Sequence, residues 1–382
     1  MGLRHALTQT FSILEGGIRV EEFLREYIAE IGPLSADAMA AARARQDELA
    51  KPPHSLGRLE DISVRFSGIV GHIAGEAKRR RVLIFSADNG VVAEGVASAP
   101  QSVTLMQTIN FARGLTGVAT LARHFHTELC VVDVGVNADF DHPGVENRKI
   151  AYGTKNIARE AAMTRAQALA ALRIGIETAE RARRDGIEIV GVGEMGIGNT
   201  TTSSAVLSCL TGLSPDETVG RGGGVNDAGF RRKREIVAAA IAREKPDPDD
   251  PVDVLAKIGG FDLAAMTGAY LGAARARVPA VIDGYISAVA ALCAYRICPQ
   301  TADYLFASHA SCEAGYVCAM RALGLSPMLE LEMRLGEGSG CPIAFEIIDA
   351  ALTVLREMGT FAQAQIDDGY LAEIRQNARL QR

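Results

Sequence analysis

Five short apolar runs constrain this chain more than anything else in it: Val82–Phe85 (VLIF), Leu129–Val136 (LCVVDVGV), Ile187–Val192 (IEIVGV), Val278–Ile282 (VPAVI) and Tyr304–Ala307 (YLFA). Their apolar character is continuous rather than alternating, as expected of strands buried on both faces. Each run leads through a polar or Gly-rich turn into residues with helical spacing. Ala166–Arg184 predicts a helix that ends before Gly186, and Asp262–Arg277 predicts one with an acidic start and a stop before Pro279. Strand and helix in alternation imply an α/β fold with a doubly wound, mostly parallel, Rossmann-like sheet. The two ends read differently. Ile18–Ile31, Ala36–Leu49 and, after an expected turn at Cys341–Pro342, Ile343–Met358 carry amphipathic helical patterns without strands. The expected organisation is a small helical subdomain from residues 1–75 plus 341–382, and an α/β catalytic domain from 76–340.

Composition narrows the function classes. With 48% hydrophobic and 23% charged residues, the chain has the balance of a soluble protein with a substantial core. The net charge is −6 and no long basic tract occurs, which argues against nucleic acid as a main partner. The N-terminal MGLRHALTQTFSILEGG has no sustained apolar core of the secretory type. The longest candidate apolar helix, Tyr285–Tyr295, falls far short of the ~20 residues that span a bilayer. The expectation is a cytoplasmic protein with no membrane contact. The seven Cys include no C-x-x-C pair and the seven His no H-x-x-x-H pair, so free thiols and no metal site are expected.

Chemistry is expected beyond the carboxyl ends of the strands, where ligands bind in parallel α/β sheets. The stretch Gly193–Thr200 reads GEMGIGNT, a P-loop pattern with Asn199 in place of the lysine. It follows a strand and precedes a helical pattern at Ser203–Leu210. Gly193, Gly196 and Gly198 allow close backbone approach, and a helix N-terminus with Thr200 to Thr202 suits an anion. Three readings stand at this point: a monophosphate cradle, a purely structural turn, or a degenerate nucleotide hydrolase. A second loop, GRGGGVNDAG from Gly220, precedes Lys233 and reads either as part of the same cradle, through Gly222, or as a plain surface turn. A third, RLGEGSG from Arg334, sets Glu337 between glycines, where it is either a general base or a solvated loop residue. The loop after VLIF carries Asp88, Glu94 and Gln101 among small residues, a suitable wall for a flat ligand; Asp88 by itself reads as a turn or capping residue. SHASCEAG holds His309 and Ser311 without a third member of a triad, so His309 reads as a hydrogen-bonding or packing residue. VVDVG and VIDG are the nearest approach to a Mg²⁺-holding strand end, but each Asp is followed at once by a turn.

Together these pieces resemble the nicotinate-nucleotide–dimethylbenzimidazole phosphoribosyltransferase family. The matching stretches are KPPHSLGRLE at Lys51, ADNGVVAEGV at Ala87, DVGV at Asp133, RKIAYGTKNIAREAAMT at Arg148, GEMGIGNTT at Gly193, GRGGG at Gly220, GGFDLAAMTGAYLGAA at Gly259 and MRLGEGSG at Met333. The resemblance implies transfer of the phosphoribosyl group of nicotinate mononucleotide to dimethylbenzimidazole. Nicotinate is released and α-ribazole phosphate forms for the cobalamin lower ligand. It implies Glu337 as general base, Glu194 as an electrostatic partner of the ribosyl transition state, a homodimer, and no cofactor or metal. The expected substrate contacts are Gly196, Gly198, Asn199, Thr200, Gly222 and Lys233 around the phosphate, with Gln101, Asp88, Leu335, Gly336 and His309 elsewhere in the site.

The chain departs from the family's common ADHGVVAEGVSAYPQ at Asn89, Ala97 and Ala99, while Gln101 is kept. These positions are expected around the incoming base, so a different base acceptor is one alternative. A nucleotide-binding homologue without catalysis is the other. Further departures are Gly223 and Asn226 in the phosphate-side loop and Cys341–Pro342 after Glu337.

Overall fold

The computed structural model describes residues 17–371; residues 1–16 and 372–382 of the expected helical subdomain lie outside these. Six strands form one all-parallel sheet: β1 (Arg80–Ala87), β2 (Glu128–Gly135), β3 (Val145–Asn147), β4 (Ile189–Met195), β5 (Ala280–Ile282) and β6 (Leu305–Ala307), in the order β3-β2-β1-β4-β5-β6. All five apolar runs contribute strands. The sixth, β3, is half-exposed and largely polar and pairs with Val131–Asp133 at the sheet edge, so it leaves no apolar run in the sequence. Every residue of β4 is buried, which accounts for its unbroken apolar run. The fold is α/β and doubly wound, with helices flanking the sheet.

The strand order fixes where a ligand can enter. From β1 the chain winds outward through β2 and β3, then returns to lay β4 against the other side of β1. The crossover loops leave in opposite directions there and open a crevice beyond the carboxyl ends of β1 and β4. β4 also runs further than its apolar core predicts. Gly193, Glu194 and Met195 continue the strand, and Glu194 pairs in register with Phe85. Glu194 is therefore held by the sheet and not by a loop.

Helix packing depends on small residues. The helices Arg165–Arg184 and Phe261–Arg275 cross so closely that a Cβ on Gly175 would lie 1.8 Å from the Ala265 carbonyl oxygen, and one on Gly268 1.9 Å from that of Leu172. Among the described residues of the two ends, the helix Ala36–Glu48 packs on Arg58–Val70, which packs on Gly340–Glu357. Ala42, Val64 and Leu355 form a small core of their own there, and Arg45 donates to the carbonyls of Leu355 and Met358 at 3.2 and 3.0 Å. The helix Gly340–Glu357 also lies on β1, β4 and β5, with Phe345 and Ile348 in the main core. It starts three residues earlier than its sequence pattern suggests. Cys341 and Pro342 form its first turn, where a proline displaces no helical hydrogen bond. Among the described residues no helix is long and apolar enough to cross a membrane, and no group of three or more His, Cys, Asp or Glu side chains is placed to hold a metal ion.

Candidate active site

A cavity of about 260 Å³ opens beyond the carboxyl ends of β4, β5 and β6. Of the residues expected at the site, Glu194, Gly196, Gly198, Asn199, Thr200, Gly222, His309, Leu335, Gly336 and Glu337 all line it. Lys233, Gln101 and Asp88 do not.

Glu337 sits on an unusual backbone. Gly336, Glu337 and Gly338 follow one another at φ of 81°, 65° and 85°, left-handed throughout, a conformation that costs a non-glycine residue roughly 1 kcal/mol or more. Asp283, at the end of β5, holds this loop by accepting the N–H groups of Gly338 and Gly340 at 3.0 and 2.7 Å. The carboxylate of Glu337 is thereby fixed in the cavity wall at 5% exposure, so it is not a solvated loop residue. Its Oε1 accepts from Gln107 Nε2 and its Oε2 from the Val118 N–H, each at 3.2 Å. Val118 belongs to the first turn of the helix Gly117–His124, whose dipole favours the anion. Burial outweighs these donors and raises the pKa of Glu337 above the ordinary glutamate value.

Asn199 answers why the P-loop lysine is missing. Its amide nitrogen donates to two buried carboxylates, Glu194 Oε2 and, at 3.0 Å, Asp262 Oδ2. The backbone of this turn is also largely self-satisfied: Asn199 N–H bonds Gly196 O at 3.0 Å and Thr201 N–H bonds Gly198 O at 2.9 Å. Burial, then the neighbouring Asp262, pushes Glu194 up to about 8; burial pushes Asp262 up to about 6 and Asp283 to about 7.

The opposite end of the cavity is lined by Thr200, Arg221, Gly222, Gly223, Ser311 and Glu313. Lys233 is fully buried behind this wall and reaches it by donating to Thr200 Oγ1 at 2.9 Å. Its burial lowers its pKa to about 8, with Glu313 as the opposing charge. Glu313 itself accepts weakly from the Gly222 N–H at 3.4 Å.

The remaining expected residues divide. His309 is buried, bonded to Ser308 Oγ through Nδ1 at 3.0 Å, and held neutral by burial, which takes it down to about 4. Leu335 is exposed at the cavity mouth and presses on Gly117. Asp88 is buried at the end of β1, where Oδ2 accepts the Asn137 N–H at 2.7 Å, and Gln101 stands beside it. Both act behind the cavity wall. Asn89, expected beside the incoming base, does not line the cavity either; its side chain lies against Asp262 and accepts from Thr202 Oγ1 at 3.2 Å. Ala97 and Ala99 do line it. Asn226 caps the helix Asp227–Glu244, and Cys341 packs under Gly191. Four functional candidates were missed from sequence: Gln107, Asp262, Asp283 and Glu313. Asp283 had a signal, an Asp ending the buried run VIDG, but its use as a loop clamp depends on a segment more than fifty residues away.

Comparison with known proteins accords with this geometry. A phosphoribosyltransferase family model matches residues 31–366. A Clostridium perfringens protein named nicotinate-nucleotide–dimethylbenzimidazole phosphoribosyltransferase is 52% identical over 352 residues, covering 92% of this chain and 98% of its own length. A Ruminiclostridium cellulolyticum protein of the same name is 52% identical over 342 residues, 90% of this chain and 97% of its own. The crystal structure of CobT from Thermus thermophilus matches with a TM-score of 0.84 at 42% identity, over 87% of this chain and 100% of that one. On fold, sequence and motif alike, the chain belongs to the nicotinate-nucleotide–dimethylbenzimidazole phosphoribosyltransferase family.

Proposed function

We propose that this protein moves the phosphoribosyl group of nicotinate mononucleotide to a ring nitrogen of dimethylbenzimidazole, releasing nicotinate and forming α-ribazole phosphate. The observation that carries the reading is the buried pair Glu337 and Glu194, held by a loop and by β4, in one cavity. Nicotinate bound to ribose is a pyridinium and leaves as a neutral ring nitrogen with the bonding electron pair. The acceptor's imidazole nitrogen bonds to the anomeric carbon from the opposite face, which inverts it. The other ring N–H proton passes to Glu337, whose pKa burial raises above the ordinary glutamate value, making it a stronger base. Positive charge on the ribose in the transition state is stabilised by Glu194 once ionised. The phosphate is assigned to the Thr200, Gly222 and Lys233 end of the cavity, where a buried cation stands behind a hydroxyl. Asn199 is assigned to the carboxylates and not to the phosphate.

A second reading of the acceptor rests on Ala97 and Ala99, which line the cavity with small side chains. They favour tolerance of bases other than dimethylbenzimidazole. The proposal includes a homodimer and a cytoplasmic setting. The first is supported by the exposed Leu335 at the cavity mouth, the second by seven free thiols. Light scattering at defined concentrations tests the dimer. The reaction is tested by mixing protein, nicotinate mononucleotide and dimethylbenzimidazole and resolving nicotinate and α-ribazole phosphate by mass. Product with wild-type protein and little with Glu337→Gln supports the assignment; equal product from both removes Glu337 as base.

A further inference from the structure

Glu194 and Asp262 come from different elements, β4 and the start of the helix Phe261–Arg275, yet both accept from the single amide nitrogen of Asn199. Both side chains are buried, Asp262 completely. The groups facing Glu194 are the Asn199 amide, the carboxylates of Asp262 and Asp283, and the Glu337 backbone N–H. Those facing Asp262 are Asn199, Asn89 and the Leu263 N–H, with Glu194 across the shared amide. None of these is a cation. Two carboxylates that meet at one amide, with no cation among the groups that face them, do not both ionise; they hold one proton between them. Only Glu194 of the two lines the cavity.

We propose that Asp262 is a positioning residue that shares one proton with Glu194, the two carboxylates meeting at the Asn199 amide, so that Glu194 becomes an anion when a substrate bearing a pyridinium at its anomeric carbon enters. This rests on the proposed reaction and deepens it. In the empty site the pair carries one proton and one negative charge. The pyridinium ring of nicotinate mononucleotide supplies the missing positive charge; the proton leaves to solvent, and Glu194 meets the ribosyl group ionised. The arrangement also supplies selectivity: a ribose phosphate without a pyridinium gives the pair no reason to lose its proton. The raised pKa values of both carboxylates agree with a retained proton.

The test is isothermal titration calorimetry in buffers of different ionisation enthalpy, which counts protons released on binding. The probes are nicotinate mononucleotide and ribose 5-phosphate, which share a phosphate and differ in the pyridinium charge. Near pH 7 the wild-type protein should release about one proton more per site with the mononucleotide than with the sugar phosphate. Glu337→Gln should keep this difference, because its carboxylate lies outside the pair. Asp262→Asn should lose most of it, and the acid limb of its kcat/KM should move to lower pH. Equal proton counts for the two probes in wild-type protein overturn the proposal without any variant, so a poorly folding Asp262→Asn does not shield it. An unchanged difference in a folded Asp262→Asn also overturns it. Absence of mononucleotide binding overturns the substrate reading, and the proposal with it.

Discussion

Glu337 Oε2 accepts the Val118 N–H at 3.2 Å, which joins the left-handed loop after β6 to the first turn of the helix Gly117–His124. The contact gives the base a fixed direction and a partial positive charge behind it, while burial keeps its pKa raised. A base acts when ionised, so kcat/KM should rise with pH through a pKa above the ordinary 4.5 of glutamate. Glu337→Gln keeps the size and an oxygen for Val118. It should therefore fold with a melting temperature near that of wild type while losing roughly 100- to 10,000-fold in kcat. Rate and calorimetric profiles on the same preparations check both halves.

Gly193 lies under this loop. A Cβ there would be 2.5 Å from the Gly338 nitrogen and 2.6 Å from the Glu337 carbonyl carbon, both backbone atoms that cannot turn aside. Gly193→Ala should shift the Glu337 loop bodily. Overpacking of this kind costs about 1–3 kcal/mol, and a displacement near 1 Å costs on the order of 100-fold in rate. Stability from denaturant titration and kcat from product assays should fall together, and an alanine with near-normal kcat would mean the loop's position is unimportant.

Glu194 links the site to stability. Its folded pKa is raised from 4.5 to about 8 by burial and the nearby Asp262. A carboxyl group raised on folding contributes its stability fully below the unfolded pKa, and that contribution is lost as pH rises through the folded one. In the absence of substrate, wild-type protein should therefore lose ground to Glu194→Gln progressively between about pH 5 and pH 8. Melting temperatures of the two across that range check the sign; a constant difference contradicts it.

Much of this architecture was legible in the chain. Continuous apolar runs mark five of the strands because burial on both faces leaves no polar alternation, whereas the half-exposed β3 leaves none. The Gly-rich ends of those runs mark the cavity for the same reason: backbone must approach backbone there, as Gly193 does. What was not legible is side-chain direction. Asn199 occupies a phosphate-loop position, yet its amide points at Glu194 and Asp262. Asn89 belongs to a base-side loop, yet it packs on Asp262 from behind. Asp262 and Asp283 look like ordinary helix-start and turn residues until distant segments meet them. Spacing along a chain fixes which loops converge, and only three-dimensional contact decides which way each side chain faces.

Lys233 offers a separable prediction. Its ammonium is buried and bonded to Thr200 Oγ1, and burial lowers its pKa to about 8. If it supports the phosphate, Lys233→Met should raise the KM for nicotinate mononucleotide roughly 10- to 100-fold, the value of one charge-assisted hydrogen bond, with a smaller change in kcat. The wild-type KM should also climb above pH 8 as the lysine loses its proton, and that rise should be absent in Lys233→Met. A purely structural lysine would move the melting temperature and leave both KM effects unseen.

The acceptor side turns on Ala97 and Ala99. Both line the cavity together with Val96, Ser98, Val103 and Gln107, so the wall offers small apolar groups, one hydroxyl donated to the Gly223 carbonyl and one amide already bonded to Glu337. A wall without an aromatic residue stacks a flat base less and leaves room for a bulkier one. Single apolar contacts of this size are worth about 1–3 kcal/mol, or 10- to 200-fold in discrimination. Wild-type turnover of benzimidazole and adenine should therefore lie within about 100-fold of dimethylbenzimidazole. Ala99→Tyr should restore an aromatic face and widen the gap in favour of dimethylbenzimidazole by about tenfold or more. Competition between dimethylbenzimidazole, benzimidazole, adenine and cresol, read as product ratios from one mixture, decides the matter. A wild-type protein that already takes dimethylbenzimidazole almost exclusively shows that selectivity resides elsewhere, with Gln107 and Leu335 the next residues to exchange.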